Sequence, residues 1–370
     1  MREVSTLELS VLSRELAALN GYHIDKFYEL GEGSFRFRLS RQGRQLNLQC
    51  ILGCTVGATR YIEAAEQPTG FALAVRKRIS GAVIESVEQY NNDRIILMRL
   101  SKADSVLGIV FEMFGRGNMV IVENDMRIML AYRTHDFKDR SVRPGATYVP
   151  PQGAPVTIAG IGEARDALAG LAKTAGQDQT LASFLNRSVN LGAPYVENAL
   201  LRLGMDPKAR LSSALAGLPR IAKALADEVR ESAAPSYIMY LKDGNAVDYS
   251  VLPLVKYDAL ERREFASMQE LLDEFYYSTI PKETVEENAL AKELAASMEK
   301  QKQAMAEMES AMASNREAGR KIFEMLNQIN MLIAYAREHR RATLEELRER
   351  FPELKIIGLD LKEKRVRLDL

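Results

Sequence analysis

At 370 residues, 46% hydrophobic and 27% charged, the chain has room for two or three domains with sizeable cores. Lys and Arg number 50, as do Asp and Glu, so the net charge is zero and any nucleic-acid contact must come from local patches rather than a global field. No apolar run reaches the ~18 residues of a membrane span, and MREVSTLELS lacks the apolar core of a signal peptide, so a cytoplasmic protein without a membrane partner is expected.

Thr6 to Leu19 carries Leu7, Val11, Leu12, Leu16 and Leu19 at helical spacing, with Gly21 where a helix stop belongs. Glu8 falls on the turn with Val11 and Leu12, close to the apolar face, where an acid most often snorkels or caps. Strand candidates follow at Ile24–Leu30, Ser34–Leu39, Gln45–Leu52 and Thr59–Ile62. The turns Gly31-Glu-Gly33 and Arg41-Gln-Gly43 have the spacing of antiparallel hairpins. Cys50 and Cys54 lie in this run as the only cysteines, beside only three histidines, which is a weak basis for a four-ligand zinc site. Buried free thiols are expected, with no metal or other cofactor, and no hydrolytic motif stands out. Phe71–Ile79 reads as a short helix ending in Arg76-Lys77-Arg78-Ile79. Those three cations suit the negative end of the helix dipole and equally suit phosphate contacts.

Gly81 to Leu100 reads as two strands joined by a tight turn. In the first, Val83, Glu85, Val87 and Gln89 share one face and Ile84, Ser86, Glu88 and Tyr90 the other. The second, Ile95–Leu100, is apolar except for Arg99, as in a strand buried on both faces. Asn91-Asn92 tolerates positive φ and suits the hairpin. Asp93-Arg94 then places two charges where the buried strand begins, either paired, meeting a ligand, or simply an Asp in the turn with an Arg snorkelling from the strand. Strands resume near Val106, Asn118 and Arg127, and Gly115-Arg116-Gly117 permits a reversal with an exposed arginine. Arg133, His135, Lys138, Arg140 and Arg143 scatter through a loop of little apolar content, either solvated or contacting phosphates.

Pro150-Pro-Gln-Gly153 marks a boundary, after which the pattern turns helical: Ile158–Leu171, Leu181–Val189, Pro194–Leu203, Leu211–Ala216 and Leu218–Glu231. Asn190 to Gly204 fits a helix–hairpin–helix whose Leu191-Gly192-Ala193 turn leads into helix N–H groups suited to a phosphate. An ordinary Gly turn in a compact helical domain remains the alternative. Ser236–Leu241 and Ala246–Val251 flank the hairpin turn Lys242-Asp-Gly-Asn245. Such a hairpin is marginal alone and is expected to pack on the first domain, making the helical unit an insertion. Met268–Tyr277 is a further amphipathic helix. From Glu283 a long helix carries a soft seam of Leu290, Leu294, Met298, Gln301, Met305, Met308 and Met312. Ile322–Ala336 is more apolar, Arg341–Arg350 is a charged helix, and Ile356–Leu370 reads as a strand pair. The fold class is therefore α+β, with divisions at 1–155, 156–232, 233–281 and 282–370.

Leu73-Ala-Val-Arg-Lys-Arg-Ile-Ser80, Ile84 to Ile95, Phe111 to Val122 and Arg143 to Pro151 together resemble the NFACT family. These are ribosome-associated quality-control factors, formerly grouped as fibronectin-binding protein A, and the similarity runs from about Leu7 to about Tyr276. The resemblance implies an NFACT-N fold like the amino-terminal domain of formamidopyrimidine-DNA glycosylases, then a helix–hairpin–helix and a coiled coil. It implies binding to large ribosomal subunits carrying peptidyl-tRNA, and recruitment of aminoacyl-tRNA, alanyl-tRNA in the first instance, for mRNA-independent carboxy-terminal tailing. Peptide transfer would belong to the ribosome, so no enzyme is expected.

The family has an Asp where Glu8 stands, coupled to the Asp-Arg pair, which makes Glu8, Asp93 and Arg94 the expected tRNA-positioning residues. Clustered, two acids and one arginine leave a negative charge unbalanced, so either a surface cleft or a further cationic or hydrogen-bond-donating group is expected there. Arg76, Lys77, Arg78, Arg116, Arg140 and Gly192 are the candidate RNA contacts. The family's coiled coil has two arms and only one is visible, so a fragment of a longer protein is expected, oligomeric only through that arm if at all. The alternative is a nucleic-acid-binding protein related to DNA glycosylases. Those enzymes use an amino-terminal proline, whereas this chain opens Met1-Arg2-Glu3. A surface adhesin ranks last.

Overall fold

Asn91 and Asn92, with φ of 57° and 50°, turn the chain at the centre of an antiparallel sheet. The computed structural model describes residues 2–62, 67–103, 105–176, 178–279, 286–360 and 363–369. Residues 1–287 and 288–370 form two compact units. Among the described residues of the first, the sheet has nine strands in the order β4-β3-β2-β1-β5-β6-β7-β8-β9. They are β1 (His23–Gly31), β2 (Ser34–Arg41), β3 (Arg44–Ile51), β4 (Thr55–Thr59), β5 (Val83–Gln89), β6 (Ile95–Lys102), β7 (Ser105–Glu112), β8 (Asn118–Glu123) and β9 (Ile128–Ala131). Tight turns join most neighbours; at the β2–β3 turn, Gln42 and Gly43 both adopt positive φ, which matches the right-handed twist of the strands.

Phe27, Phe35, Phe37, Leu48 and Val56 line one face and bury against helix α1 (Thr6–Leu16) and helix α2 (Gly70–Ile79). Ile95, Leu97, Val110 and Val120 form a second core on the other face, which accounts for the unbroken apolar run of β6. In β5 the alternation differs from expectation. A bulge between Ile84 and Ser86 shifts the register, so Ile84 and Val87 are both buried. The fourth strand is β4 rather than Thr59–Ile62, because Gly53 at φ +81° reverses the chain earlier. β1 meets β5 only at His23–Val83, and beyond that point α2 lies along β1, with Arg76 Nε donating to Phe27 O at 2.7 Å.

Short strands β10 (His135–Asp136) and β11 (Ser141–Val142) precede the helical segment. That segment contains α3 (Ala164–Thr174), α4 (Leu181–Ser188), α5 (Ala193–Arg202), α6 (Leu211–Ala214) and α7 (Leu218–Glu231). The expected helix at Ile158–Leu171 starts later, at Ala164, after a 3-10 turn at Ile161–Glu163. Glu228 of α7 is fully buried and accepts from Asn198 Nδ2 of α5 at 3.0 and 3.1 Å, with Arg202 Nη1 at 3.3 Å. Burial pushes the Glu228 carboxyl up to about 7, against the opposing pull of Asn198 and Arg202. Asn198 also bonds Pro253 O and Val255 N.

The chain then forms β12 (Tyr237–Lys242), β13 (Asn245–Ser250) and β14 (Glu261–Phe265), in the order β13-β12-β14. α8 (Met268–Thr279) packs on β4, where Gly57 lets Gln269 come close and accept from Ala58 N at 3.0 Å. The Glu15 carboxylate of α1 caps α8 by accepting from the backbone N–H groups of Met268 and Gln269 at 2.8 and 3.1 Å.

The second unit contains α9 (Glu286–Glu324, begun in the first), α10 (Leu326–Glu338), α11 (Leu344–Arg350), β15 (Ile356–Asp360) and β16 (Arg365–Leu368). Leu332, Leu347, Phe351, Leu354 and Ile356 make its small core. Of the expected seam, Leu290, Leu294 and Met298 lie outside the described side chains. Gln301, Met305, Met308 and Met312 are exposed. No helix among the described residues is long and apolar enough to cross a membrane.

Candidate functional site

The first turn of α1 is fixed by a capping box. Glu8 N donates to Ser5 Oγ at 3.2 Å, and Ser5 N donates to Glu8 Oε2 at 2.7 Å. The Ser-x-x-Glu spacing before an apolar run encodes this arrangement. What the spacing does not show is the rest of the carboxylate's surroundings. Glu8 is fully buried, and Arg2 grips it through Nη2–Oε1 at 2.6 Å and Nη1–Oε2 at 3.0 Å. Tyr195 Oη of α5 donates to Oε1 at 2.9 Å while accepting from Val251 N at 3.0 Å. Arg2 also pairs with Asp248 and donates to Tyr249 O at 3.1 Å, its guanidinium 3.7 Å from the centroid of the Tyr249 ring.

Burial alone would lower the Arg2 pKa. Glu8, Tyr249 and Asp248 more than offset it and hold the guanidinium well above its ordinary value. Burial, reinforced by Glu8, pushes the Tyr195 phenol well up. Tyr276 of α8 completes the joint by donating to Arg2 O at 2.6 Å. Arg2, Tyr195, Asp248 and Tyr249 were not singled out from sequence.

Asp93 and Arg94 stand at the β5–β6 turn, both half-buried. Their side chains are not spent on each other. Asp93 Oδ1 accepts from Arg94 N at 2.7 Å and from Asn190 Nδ2 at 3.1 Å. Arg94 Nη1 reaches Glu3 Oε2 at 2.5 Å. Asn190 in turn accepts from Thr6 Oγ1 at 2.6 Å and donates to Asn92 O at 3.1 Å. Gln89 Nε2 bridges Asp93 O at 2.9 Å and Thr6 O at 3.1 Å. Residues 2–8 therefore stitch Glu8 to the Asp93–Arg94 corner, although no direct bond joins them. The expected unbalanced charge does not arise at Glu8, because Arg2 neutralises it within the fold and a buried carboxylate needs such a partner.

The candidate RNA contacts separate by exposure. Arg116 is exposed and shares Glu32 with Arg133, at 3.0 and 3.1 Å. Lys77 is exposed and Arg78 half-buried, and Lys102 Nζ caps both their carbonyls. Arg76 lies along β1. Arg140 corrects the expectation: it is buried, with Nη1 on Glu112 Oε1 at 2.5 Å and on Val149 O at 3.3 Å, so its guanidinium faces inward. Gly192, at φ +110°, is a point of close approach. A Cβ there would stand 2.5 Å from Ser5 Cβ, and the N–H groups of Tyr195 and Val196 bond Gly192 O at 3.2 Å each. Cys50 and Cys54 are buried free thiols, and burial pushes both up.

The model of NFACT N-terminal and middle domains matches residues 6–362. The chain is similar to the archaeal Rqc2 homolog aRqcH of Methanocaldococcus jannaschii, 24% identical over 318 residues, covering 79% of this chain and 45% of that one. It is also similar to ribosome quality control complex subunit 2 of Saccharomyces cerevisiae, 28% identical over 136 residues, covering 36% of this chain and 13% of that one. The chain thus spans less than half the length of either relative. The solved N-terminal part of the fibronectin/fibrinogen-binding protein of Streptococcus suis shares the fold, with a TM-score of 0.56 at 22% identity over 74% of this chain and 98% of that one.

Proposed function

The chain belongs to the NFACT family, which it matches over residues 6–362, and from that membership we propose a ribosome-associated quality-control factor. In this reading it acts in the cytoplasm on a large ribosomal subunit still obstructed by peptidyl-tRNA. It recruits aminoacyl-tRNA, alanyl-tRNA in the first instance, so that residues are added to the stalled chain without mRNA. Peptide transfer stays with the ribosome, and the protein supplies position.

Beside the family match, the observation that carries this reading is the state of the Asp93–Arg94 corner. Asp93 Oδ2 has no hydrogen-bond donor among the described residues, and Arg94 is held by a partly exposed Glu3. Asp93 Oδ2 is not a buried atom, so it is open to solvent and can accept from a ligand that brings a donor, such as a ribose hydroxyl or a base amine. Under the same reading, α4, the Asn190–Gly192 turn and α5 form a helix–hairpin–helix. The sheet is the counterpart of the glycosylase amino-terminal domain, and α9 is one coiled-coil arm.

Gradient sedimentation with stalled ribosomes tests the association. The protein is expected in the large-subunit fractions when peptidyl-tRNA is present. Its absence from them contradicts the reading.

A further inference from the structure

Tyr28 sits on β1 directly across from Arg36 of β2, and Lys26 lies two residues earlier on the same face. Arg76 reaches them from α2, tied to Phe27 O. Three cations thus converge on one ring: Arg36 Cζ at 4.5 Å, Lys26 Nζ at 5.2 Å and Arg76 Cζ at 5.6 Å from its centroid. The ring's negative face helps hold them, but like charges gathered this closely repel each other and concentrate a positive potential.

Exposed Arg116, Arg127, Arg143 and Arg262 each have a carboxylate partner, whereas exposed Arg41, Arg44 and Arg187 have none among the described residues. Lys26 and Arg76 have none within 4.0 Å among the described residues. Lys26 is exposed and Arg76 half-buried, so both reach solvent.

We propose that Lys26 and Arg76, aligned by Tyr28 and Arg36, form a binding site for a phosphate of an RNA backbone. Arg36, Lys26 and Arg76 already crowd the ring, so the site offers cations rather than a surface for base stacking. It recognises phosphate without reading sequence. Exposed Lys77 and the Lys102 cap at the end of α2 extend the positive surface beyond it. The choice of RNA rests on the ribosomal reading above.

The test is the salt dependence of binding to fluorescently labelled oligouridine by the full chain. Each lost phosphate contact on a single strand lowers the slope of log affinity against log salt by about 0.7. Lys26→Gln, at an exposed position, should lower it by about 0.7, and Lys26→Gln with Arg76→Gln by about 1.4, while Arg127→Gln should not change it. Lys26→Gln alone decides the matter if the double variant does not fold. Unchanged slopes overturn the site, and if the wild type still joins obstructed large subunits the ribosomal reading stands without it. A wild type that binds neither oligouridine nor subunits overturns both. Variants that lose binding to phosphatidylserine vesicles or polyglutamate but keep oligouridine binding show a site for another anion, and overturn the RNA assignment.

Discussion

Arg2 and Glu8 form a two-point ion pair at the start of α1, with Nη2–Oε1 at 2.6 Å and Nη1–Oε2 at 3.0 Å. The pair lies where the helix cap, α5, β13 and α8 meet, so it ties the sheet to the helical segment and to the returning hairpin.

Removing one member of a buried pair leaves the other charged in a poor solvent. Arg2→Ala should cost about 3–5 kcal/mol, because it leaves the buried Glu8 carboxylate without a cation, while Asp248 keeps Lys256 and Tyr257. Glu8→Gln keeps the shape and leaves Arg2 with Asp248, so about 1–3 kcal/mol is expected. The two losses should fall short of adding in the double variant. Denaturant unfolding of the three variants measures this, and strict additivity contradicts the joint.

Glu228 carries a pH dependence whose sign follows from its raised value. The folded state holds the proton up to about pH 7, whereas an unfolded Glu releases it near 4.5. The contribution is full below the unfolded value and is lost as pH rises through about 7. Wild type should lose about 3 kcal/mol relative to Glu228→Gln across that window, from a difference of about 2.5 pKa units. Paired melts at several pH values check it; a constant gap contradicts the assignment.

Gly192→Ala meets two penalties. At φ +110° an L side chain is strained by about 1–3 kcal/mol, and the new Cβ would lie 2.5 Å from Ser5 Cβ. Ser5→Gly removes the second obstacle and costs only a few tenths of a kcal/mol as a cap. The double variant should therefore recover part of the loss but not all of it. Full recovery would place the whole cost in packing, and no recovery would place it in backbone strain.

Local signals were legible where neighbours in sequence supply the cause. The α1 stripe, the Asn91-Asn92 turn and the doubly buried β6 follow from spacing and residue type. Partners distant in sequence were not legible. In the sequence Arg2 stands out only where the glycosylases have an amino-terminal proline, because its contact, Tyr249 O, lies 247 positions along the chain. Arg140 looked like a surface cation because Glu112, which pairs with it inside the fold, lies 28 positions earlier at the end of β7. The bulge in β5 depends on β6 pairing, and β14 went unseen because Glu261-Arg-Arg-Glu is exposed and carries no apolar alternation. The resemblance pointed to Glu8, Asp93 and Arg94, but not to Asn190, which links Thr6 of the first turn of α1 to Asp93.

The central claim is that Asp93 and Arg94 position tRNA rather than hold the fold. Their side chains have separate partners, so single and double alanine variants should show near-additive losses in melting. The deciding measurement is the extension of stalled chains on purified obstructed subunits, run beside sedimentation of the same samples. Asp93→Ala with Arg94→Ala should still fold and sediment with the large subunit, while adding no tail. Normal tailing by that variant would contradict the account.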